Sequence, residues 1–223
     1  GSPVVFDYNM RSNYNVILLA SSGAGKSVSA KTILKRIMER FSESHVYVVD
    51  PQGEYEKIAD YFGLSVVKLT DAQGKVCRMG LDPYLLFEPL DVPQVIADIA
   101  GADDLARKEI TAKSTTAASI FDLYKKVDSH SKRHMVQLVQ GPFSELFKTF
   151  EEGGVSSRTI ISLQGAYDNR ERQAVLLCLA LAKAWKHIIS APAQVPKVLV
   201  VDEGWLVFKM PTTARFVEMI ART

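Results

Sequence analysis

The residues from Ala20 to Ser27 have types and spacing suited to binding phosphate. They match the phosphate-loop pattern G-x-x-x-x-G-K-S, with alanine in place of the first glycine. Glycines let successive backbone N–H groups curve around phosphate oxygens. The helix that follows offers free N–H groups and the positive end of its dipole. We therefore expect Lys26 to meet the β- and γ-phosphates of ATP and Ser27 to give its hydroxyl to Mg²⁺.

The rest of this loop is predicted to contact the nucleotide through its backbone. These further nucleotide-binding positions are Ser22, Gly23, Ala24, Gly25 and Val28. A dinucleotide fingerprint is the rival reading, because Gly23-Ala24-Gly25 begins a G-x-G pattern. It requires glycine or alanine at position 28, where the chain has valine, so the phosphate loop is favoured.

A second motif, Val198 to Glu203, is an aliphatic run that ends in two acids. This is a Walker B pattern when it follows a phosphate loop in the same chain. Asp202 is predicted to hold Mg²⁺, mainly through water. Glu203 is predicted to be the catalytic base that polarises the attacking water, with Lys26 as its catalytic partner at the phosphates.

The third motif is Asp50-Pro51-Gln52-Gly53-Glu54-Tyr55, directly after an apolar run. The carboxyl ends of parallel strands form the ligand crevice of such sheets, which would put Asp50 and Glu54 near the nucleotide. The alternative is a Pro-x-Gly turn whose acids only cap a helix. The spacing favours neither.

The elements that must position these motifs alternate between strand and helix. Continuous aliphatic runs predict buried strands, and i, i+3, i+4 spacing from Ala30 to Phe41 predicts an amphipathic helix. Strand, loop, helix, strand is the pattern of a parallel α/β sheet. The predicted strands are Val16 to Leu19, Val46 to Val49, Ser65 to Leu69, Thr159 to Leu163 and Val198 to Val201.

The middle of the chain is helical in pattern. We predict a short helix around Val95 to Ile99, a long one from Leu105 to Tyr124, and two more at Val136 to Val139 and Phe143 to Phe150. Residues 91–154 are therefore assigned to an all-helical insertion. Residues 1–90 and 155–223 are assigned to a discontinuous ATPase core.

The composition limits the alternatives. The chain has 223 residues, is 47% hydrophobic and has a net charge of +2, which excludes a mainly disordered chain. The apolar stretch from Ala174 to Ala182 is shorter than the roughly 20 residues of a membrane span, so we expect a buried helix. Cys178 is expected to lie in the core, and Trp205 is expected to be a core or packing residue. His130 and His134 are four residues apart, but no acid-rich pattern accompanies them, so zinc is disfavoured.

The three motifs together resemble the HerA/FtsK superfamily, in particular the ATPases of type IV secretion and conjugation and their archaeal DNA-transfer relatives. Further matches are Gly141 to Phe147, Thr159 to Gly165 and Asp202-Glu203-Gly204-Trp205. The resemblance implies a RecA-like P-loop NTPase core with a mostly parallel sheet and an all-helical insertion.

The resemblance also implies ATP and Mg²⁺, a homo-hexameric ring, and ATP-driven movement of DNA or a protein substrate at the cytoplasmic face of a membrane channel. Such proteins continue into a further strand with a polar sensor residue. The chain ends at Thr223 before such a strand, so we expect a truncated domain that is mostly monomeric. Arg215 and Arg222 are arginine-finger candidates by position only. A nucleotide-binding switch with negligible turnover is the alternative function.

Overall fold

The computed structural model describes residues 15–19, 24–69, 76–148, 155–165 and 170–222. Four strands form one parallel sheet, in the order β2-β3-β1-β4. They are β1 (His45–Asp50), β2 (Ser65–Lys68), β3 (Arg158–Ser162) and β4 (Lys197–Val201). Each lies where an aliphatic run predicts a strand.

The described helices surround this sheet. The α-helices are α1 (Lys26–Arg40), α2 (Ala59–Phe62), α3 (Pro83–Leu86), α4 (Val92–Ile99), α5 (Asp104–Ser114), α6 (Ile120–Lys126), α7 (Ser129–Val139), α8 (Arg170–Ser190) and α9 (Pro211–Arg222). Short 3-10 helices cover Glu56–Ile58, Pro142–Phe147 and Gly204–Lys209.

The central strand β1 divides the core into two layers. Its side chains alternate between the faces of the sheet. On one face, Val46 and Val48 pack against α1 and α2, and the α1 residues in this cluster are Leu34 and Met38. Tyr47 and Val49 face the other layer, which holds α8 and the helices between β2 and β3. The fold is therefore a three-layer α/β sandwich that carries the predicted RecA-like core with its helical insertion.

Helix α8 is the apolar centre of the larger layer. Every residue from Ala174 to Ala182 is buried, which confirms the predicted buried helix. Burial raises the pKa of the Cys178 thiol to about 11, as expected of a core cysteine. The segment Arg172–Ser190 of this helix is long enough and apolar enough to span a membrane. By the same measure, 67% of it is buried within the protein.

The predicted strand from Val16 to Leu19 is wrong. Residues 15–19 have no regular structure, and Ile17 and Leu19 are 81% and 91% exposed. A strand needs a hydrogen-bonded neighbour, and none of the four described strands pairs with this segment. Strand β4, predicted to be buried, is only half-buried along its length, because β1 is its one described partner.

The predicted long helix from Leu105 to Tyr124 is also wrong, because it is broken into α5 and α6. The Ser114 hydroxyl donates to the Ile110 carbonyl at 2.7 Å near the end of α5. The Ser119 hydroxyl accepts the N–H of Asp122 at 3.1 Å and caps the start of α6. Small polar residues here compete with helical hydrogen bonding and divide the helix. The predicted helix Phe143 to Phe150 is a 3-10 helix in its described part.

Candidate nucleotide site

Three strand ends meet at the carboxyl edge of the sheet. Asp50 at the end of β1 is in register with Ser162 at the end of β3. Asp202 follows β4, and its N–H donates to the Val49 carbonyl at 3.2 Å. Because parallel strands bring their carboxyl ends to one edge, two of the three sequence motifs converge here.

The phosphate-loop motif reaches this edge through the start of α1. Gly25 caps that helix in the left-handed region, with φ of 84° and ψ of 14°. Among the described residues no side chain caps the helix, and its first turn has no acid. Its first N–H groups are therefore available to an anion. Ser22 and Gly23 lie outside the described residues. Ala24 and Val28 are exposed, and Ser27 is half-buried at the second helical position.

Lys26 connects the phosphate loop to the Walker B strand. Its ammonium Nζ lies 3.4 Å from the Asp202 carboxylate Oδ1, and the Asp202 side chain is only 10% exposed. A nearly buried carboxylate needs a counter-charge, which Lys26 provides here. The Asp202 carboxylate and the Ser27 hydroxyl are hard oxygen donors of the kind that Mg²⁺ binds. The residues at this edge therefore fit a magnesium nucleotide.

Glu203 has the unusual backbone of the site. Its φ is 51° and its ψ is 40°, the left-handed region, and it is the one non-glycine residue with positive φ in the described chain. Its carboxylate accepts the Gln52 amide at 2.6 Å through Oε1 and the Trp205 indole N–H through Oε2. Strained backbone of this kind concentrates at functional sites, and here it fixes a half-buried carboxylate between two donors.

Asp50 is placed inside the turn that follows β1. It is fully buried. Its Oδ2 accepts the N–H of Tyr55 at 2.7 Å, and its Oδ1 accepts the N–H of Glu54 at 3.1 Å. Burial raises the pKa of Asp50, and these backbone hydrogen bonds oppose the rise. These contacts match the turn-and-cap alternative, and a direct contact of Asp50 with nucleotide stays a prediction.

Glu54 lies against helix α1. Its Oε2 is 3.6 Å from Lys31 Nζ, and its carbonyl accepts from the same ammonium at 3.2 Å. Lys31 also lies 5.0 Å from the centre of the Tyr55 ring. The motif after β1 is therefore tied to the helix that begins at the phosphate loop. That Glu54 binds nucleotide stays a prediction.

Gly53 is required by space as well as by backbone. Its φ is 70°, and a Cβ added there would lie 2.7 Å from Oε1 of Gln164. Gln164 follows β3, so the turn after β1 and the loop after β3 touch at this residue. The glycine lets the two loops approach closely.

Three polar contacts of the site were not predicted as such from the sequence. Gln52 and Trp205 orient Glu203, and Gln164 packs on Gly53. Trp205, expected to be a core or packing residue, is 46% exposed, and its indole N–H donates to the Glu203 carboxylate. All three lie within the motifs that carry the family resemblance, and that was the available signal.

A parallel sheet with the predicted phosphate-loop helix, an aspartate after β4 and a neighbouring glutamate is typical of P-loop ATPases of the RecA-like class. Residues 1–180 match the family model of the central domain of helicase HerA, so the chain belongs to that family. No curated protein sequence matches the chain significantly.

Among solved structures, the fold is similar to that of VirB4 of Thermoanaerobacter pseudethanolicus. The TM-score is 0.73 at 20% sequence identity, over 97% of this chain and 69% of that one. The similarity confirms the α/β fold class that the motifs predict.

The two arginines considered for a trans-acting role lie on α9. Both are exposed, and Arg222 forms an ion pair with Glu218 one turn earlier. The nucleotide edge described above does not include them.

Proposed function

We propose that this chain binds ATP with Mg²⁺ at the carboxyl edge of its sheet and hydrolyses it. One observation carries the proposal: the Lys26 ammonium, at the uncapped start of α1, lies 3.4 Å from Asp202, directly before Glu203. These are the groups that a phosphoryl-transfer site needs, and the fold brings them together from opposite ends of the chain.

The roles follow from the contacts. Lys26 would leave Asp202 for the β- and γ-phosphates when the nucleotide arrives, because phosphate carries the larger negative charge. Asp202 and Ser27 would hold Mg²⁺, which screens the phosphate charge when bound. Glu203, fixed by Gln52 and Trp205, would accept the proton of the attacking water.

Two substitutions separate binding from hydrolysis. Lys26→Ala should weaken ATP binding by more than about tenfold, measured by calorimetry, because a charge that meets the phosphates is lost. Lys35→Ala is the matched control, since Lys35 lies farther along the same helix and is paired with Glu39. Glu203→Gln should keep ATP affinity and lose most turnover. Unchanged ATP affinity in Lys26→Ala would remove the basis of the proposal.

We further propose that this ATPase is a motor domain that moves DNA or a protein substrate, as part of a homo-hexamer at the cytoplasmic face of a membrane channel. The family name supports nucleic acid as substrate, because it is that of a helicase. We propose residues 91–154 as its inserted helical unit. Within this unit the basic residues of α6 and α7 are the candidates for contact with phosphates. Of these, Lys126 is paired with Asp122 and Lys132 lies over the Tyr124 ring.

The alternative is a nucleotide-binding switch with negligible turnover. The observation that favours it is that Val16 to Leu19, just before the phosphate loop, lie outside the sheet. Turnover that rises steeply with protein concentration and with added DNA, and DNA affinity that falls with salt, would support the motor. ATP binding without turnover under all these conditions would support the switch.

A further inference from the structure

A cluster of metal-ligating side chains lies on the helical block, apart from the nucleotide edge. Asp103 precedes α5, and His130 and His134 lie one turn apart on α7. One ligand atom from each of the three lies within 4.8 Å of the other two. His130 Nε2 is 2.9 Å from Asp103 Oδ2, and His134 Nε2 is 3.5 Å from the same oxygen.

Packing of α5 against α7 produces this cluster. The two histidines share one face of α7 because they are four residues apart. Their rings meet edge to face with centroids 5.3 Å apart. The carboxylate comes from 27 residues earlier in the chain, which is why local spacing did not reveal it.

The surrounding groups prepare the ligand atoms. His134 Nδ1 is 3.0 Å from the Gly101 carbonyl, so this nitrogen donates, and Nε2 is the ring nitrogen that faces Asp103. A histidine oriented by a carbonyl in this way is typical of metal ligands. The Ala106 N–H donates to the Asp103 carboxylate at 2.9 Å. The carboxylate is therefore fixed at the helix start.

We propose that Asp103, His130 and His134 bind one divalent transition-metal cation of the zinc class, with water completing its coordination. Imidazole and carboxylate ligands suit zinc. Bonds of about 2.0–2.2 Å place the ligand atoms of a tetrahedral site roughly 3.3–3.6 Å apart. Small rotations of two half-exposed rings reach that spacing from the observed one.

The two histidines adapt to the cation differently. Arg133 donates to His130 Nδ1 at 3.0 Å, so His130 at present carries its proton on Nε2 and donates it to Asp103. When the cation binds, that proton would move from Nε2 to Nδ1 of His130. The exposed Arg133 side chain would then turn into solvent. His134 already donates from Nδ1, as binding of a cation through Nε2 requires. The bound cation would join the turn before α5 to α7 and stabilise the helical block.

Titration of the 223-residue chain with zinc chloride, followed by calorimetry without nucleotide, tests the site. We expect one Zn²⁺ per chain, and at least about tenfold weaker binding in His130→Ala and in His134→Ala. Asp103→Asn should also weaken binding by about tenfold or more, while asparagine still caps α5. Asp104→Asn is the matched control and should bind as the parent does, because Asp104 is the next residue and is outside the cluster.

A second readout does not depend on these variants. Cobalt bound to the parent chain should show the visible absorption of a tetrahedral site, and zinc should abolish it. Zinc should also raise the melting temperature of the parent and of Asp104→Asn, and not that of Asp103→Asn. Binding that is unchanged in Asp103→Asn and both histidine variants would place the metal elsewhere and overturn the proposal. Absence of binding to the parent would overturn it as well.

Discussion

Because the backbone of Glu203 is left-handed, we predict that glycine at this position gives a more stable protein than alanine does, which is the reverse of the usual order. An L-residue in this region costs about 1–2 kcal/mol relative to the right-handed region. Glycine avoids this cost but loses roughly 0.5–1 kcal/mol of chain entropy on folding. With φ of 51° and ψ of 40°, Glu203→Gly should therefore be more stable than Glu203→Ala by about 0.5–1 kcal/mol.

The comparison of glycine with alanine isolates the backbone. Both variants lack the carboxylate and its bonds to Gln52 and Trp205, so those losses cancel. Glu218 is the matched control, because it is an exposed glutamate in the interior of α9. There the order should reverse, with glycine less stable than alanine by about 1 kcal/mol.

Urea denaturation measures both pairs. For a denaturant slope of about 2–3 kcal/mol/M, the Glu203 pair should differ by roughly 0.3 M in midpoint. ATP turnover should be lost in both Glu203 variants, so the more stable one gains nothing in activity. If Glu203→Ala equals or exceeds Glu203→Gly in stability, the left-handed conformation and its role in holding the carboxylate are refuted.

Three further predictions concern the stability of the fold around the site and in the helical layer. Gly53→Ala should lose more stability than Gly63→Ala, because both glycines have positive φ but only Gly53 faces Gln164. Adding Gln164→Ala to Gly53→Ala should remove this additional loss of stability, as measured by urea denaturation. Asp82→Ala should cost about 1–3 kcal/mol, because it leaves the buried N–H of Ile120 without its acceptor; an unchanged midpoint would contradict this. Burial lowers the pKa of His187 in the folded protein. Its contribution to folding stability is therefore present above the unfolded pKa of about 6.5 and is lost as the pH falls through the folded pKa. His187→Gln should therefore flatten the decline in melting temperature from pH 7 to pH 5.

The sequence was sufficient for the class of site because its signals are local. A phosphate loop before an amphipathic helix and an aliphatic run ending in Asp202 and Glu203 each depend on neighbours in the chain. The break between α5 and α6 was local too. Ser119, with Asp122 three residues later, is an N-terminal capping pattern that the apolar periodicity on either side concealed.

The tertiary structure decided what depends on distant partners. Val16 to Leu19 has the composition of a strand, but strand formation requires a hydrogen-bonded neighbour, and the sequence does not name one. The ion pair of Lys26 with Asp202 and the contact of Gln52 with Glu203 each join residues more than 150 positions apart. Aliphatic and helical periods contain no information on such pairings.

Asp103 and His130 show the same division of information. The spacing of His130 and His134 on one helix face was visible in the sequence, and by itself it did not favour a metal. The third ligand comes from another helix and depends on how α5 packs against α7. Local periodicity indicated most of the elements and which of their residues face inward. Packing between those elements decided which charged groups meet, because their separation in space is independent of their separation along the chain.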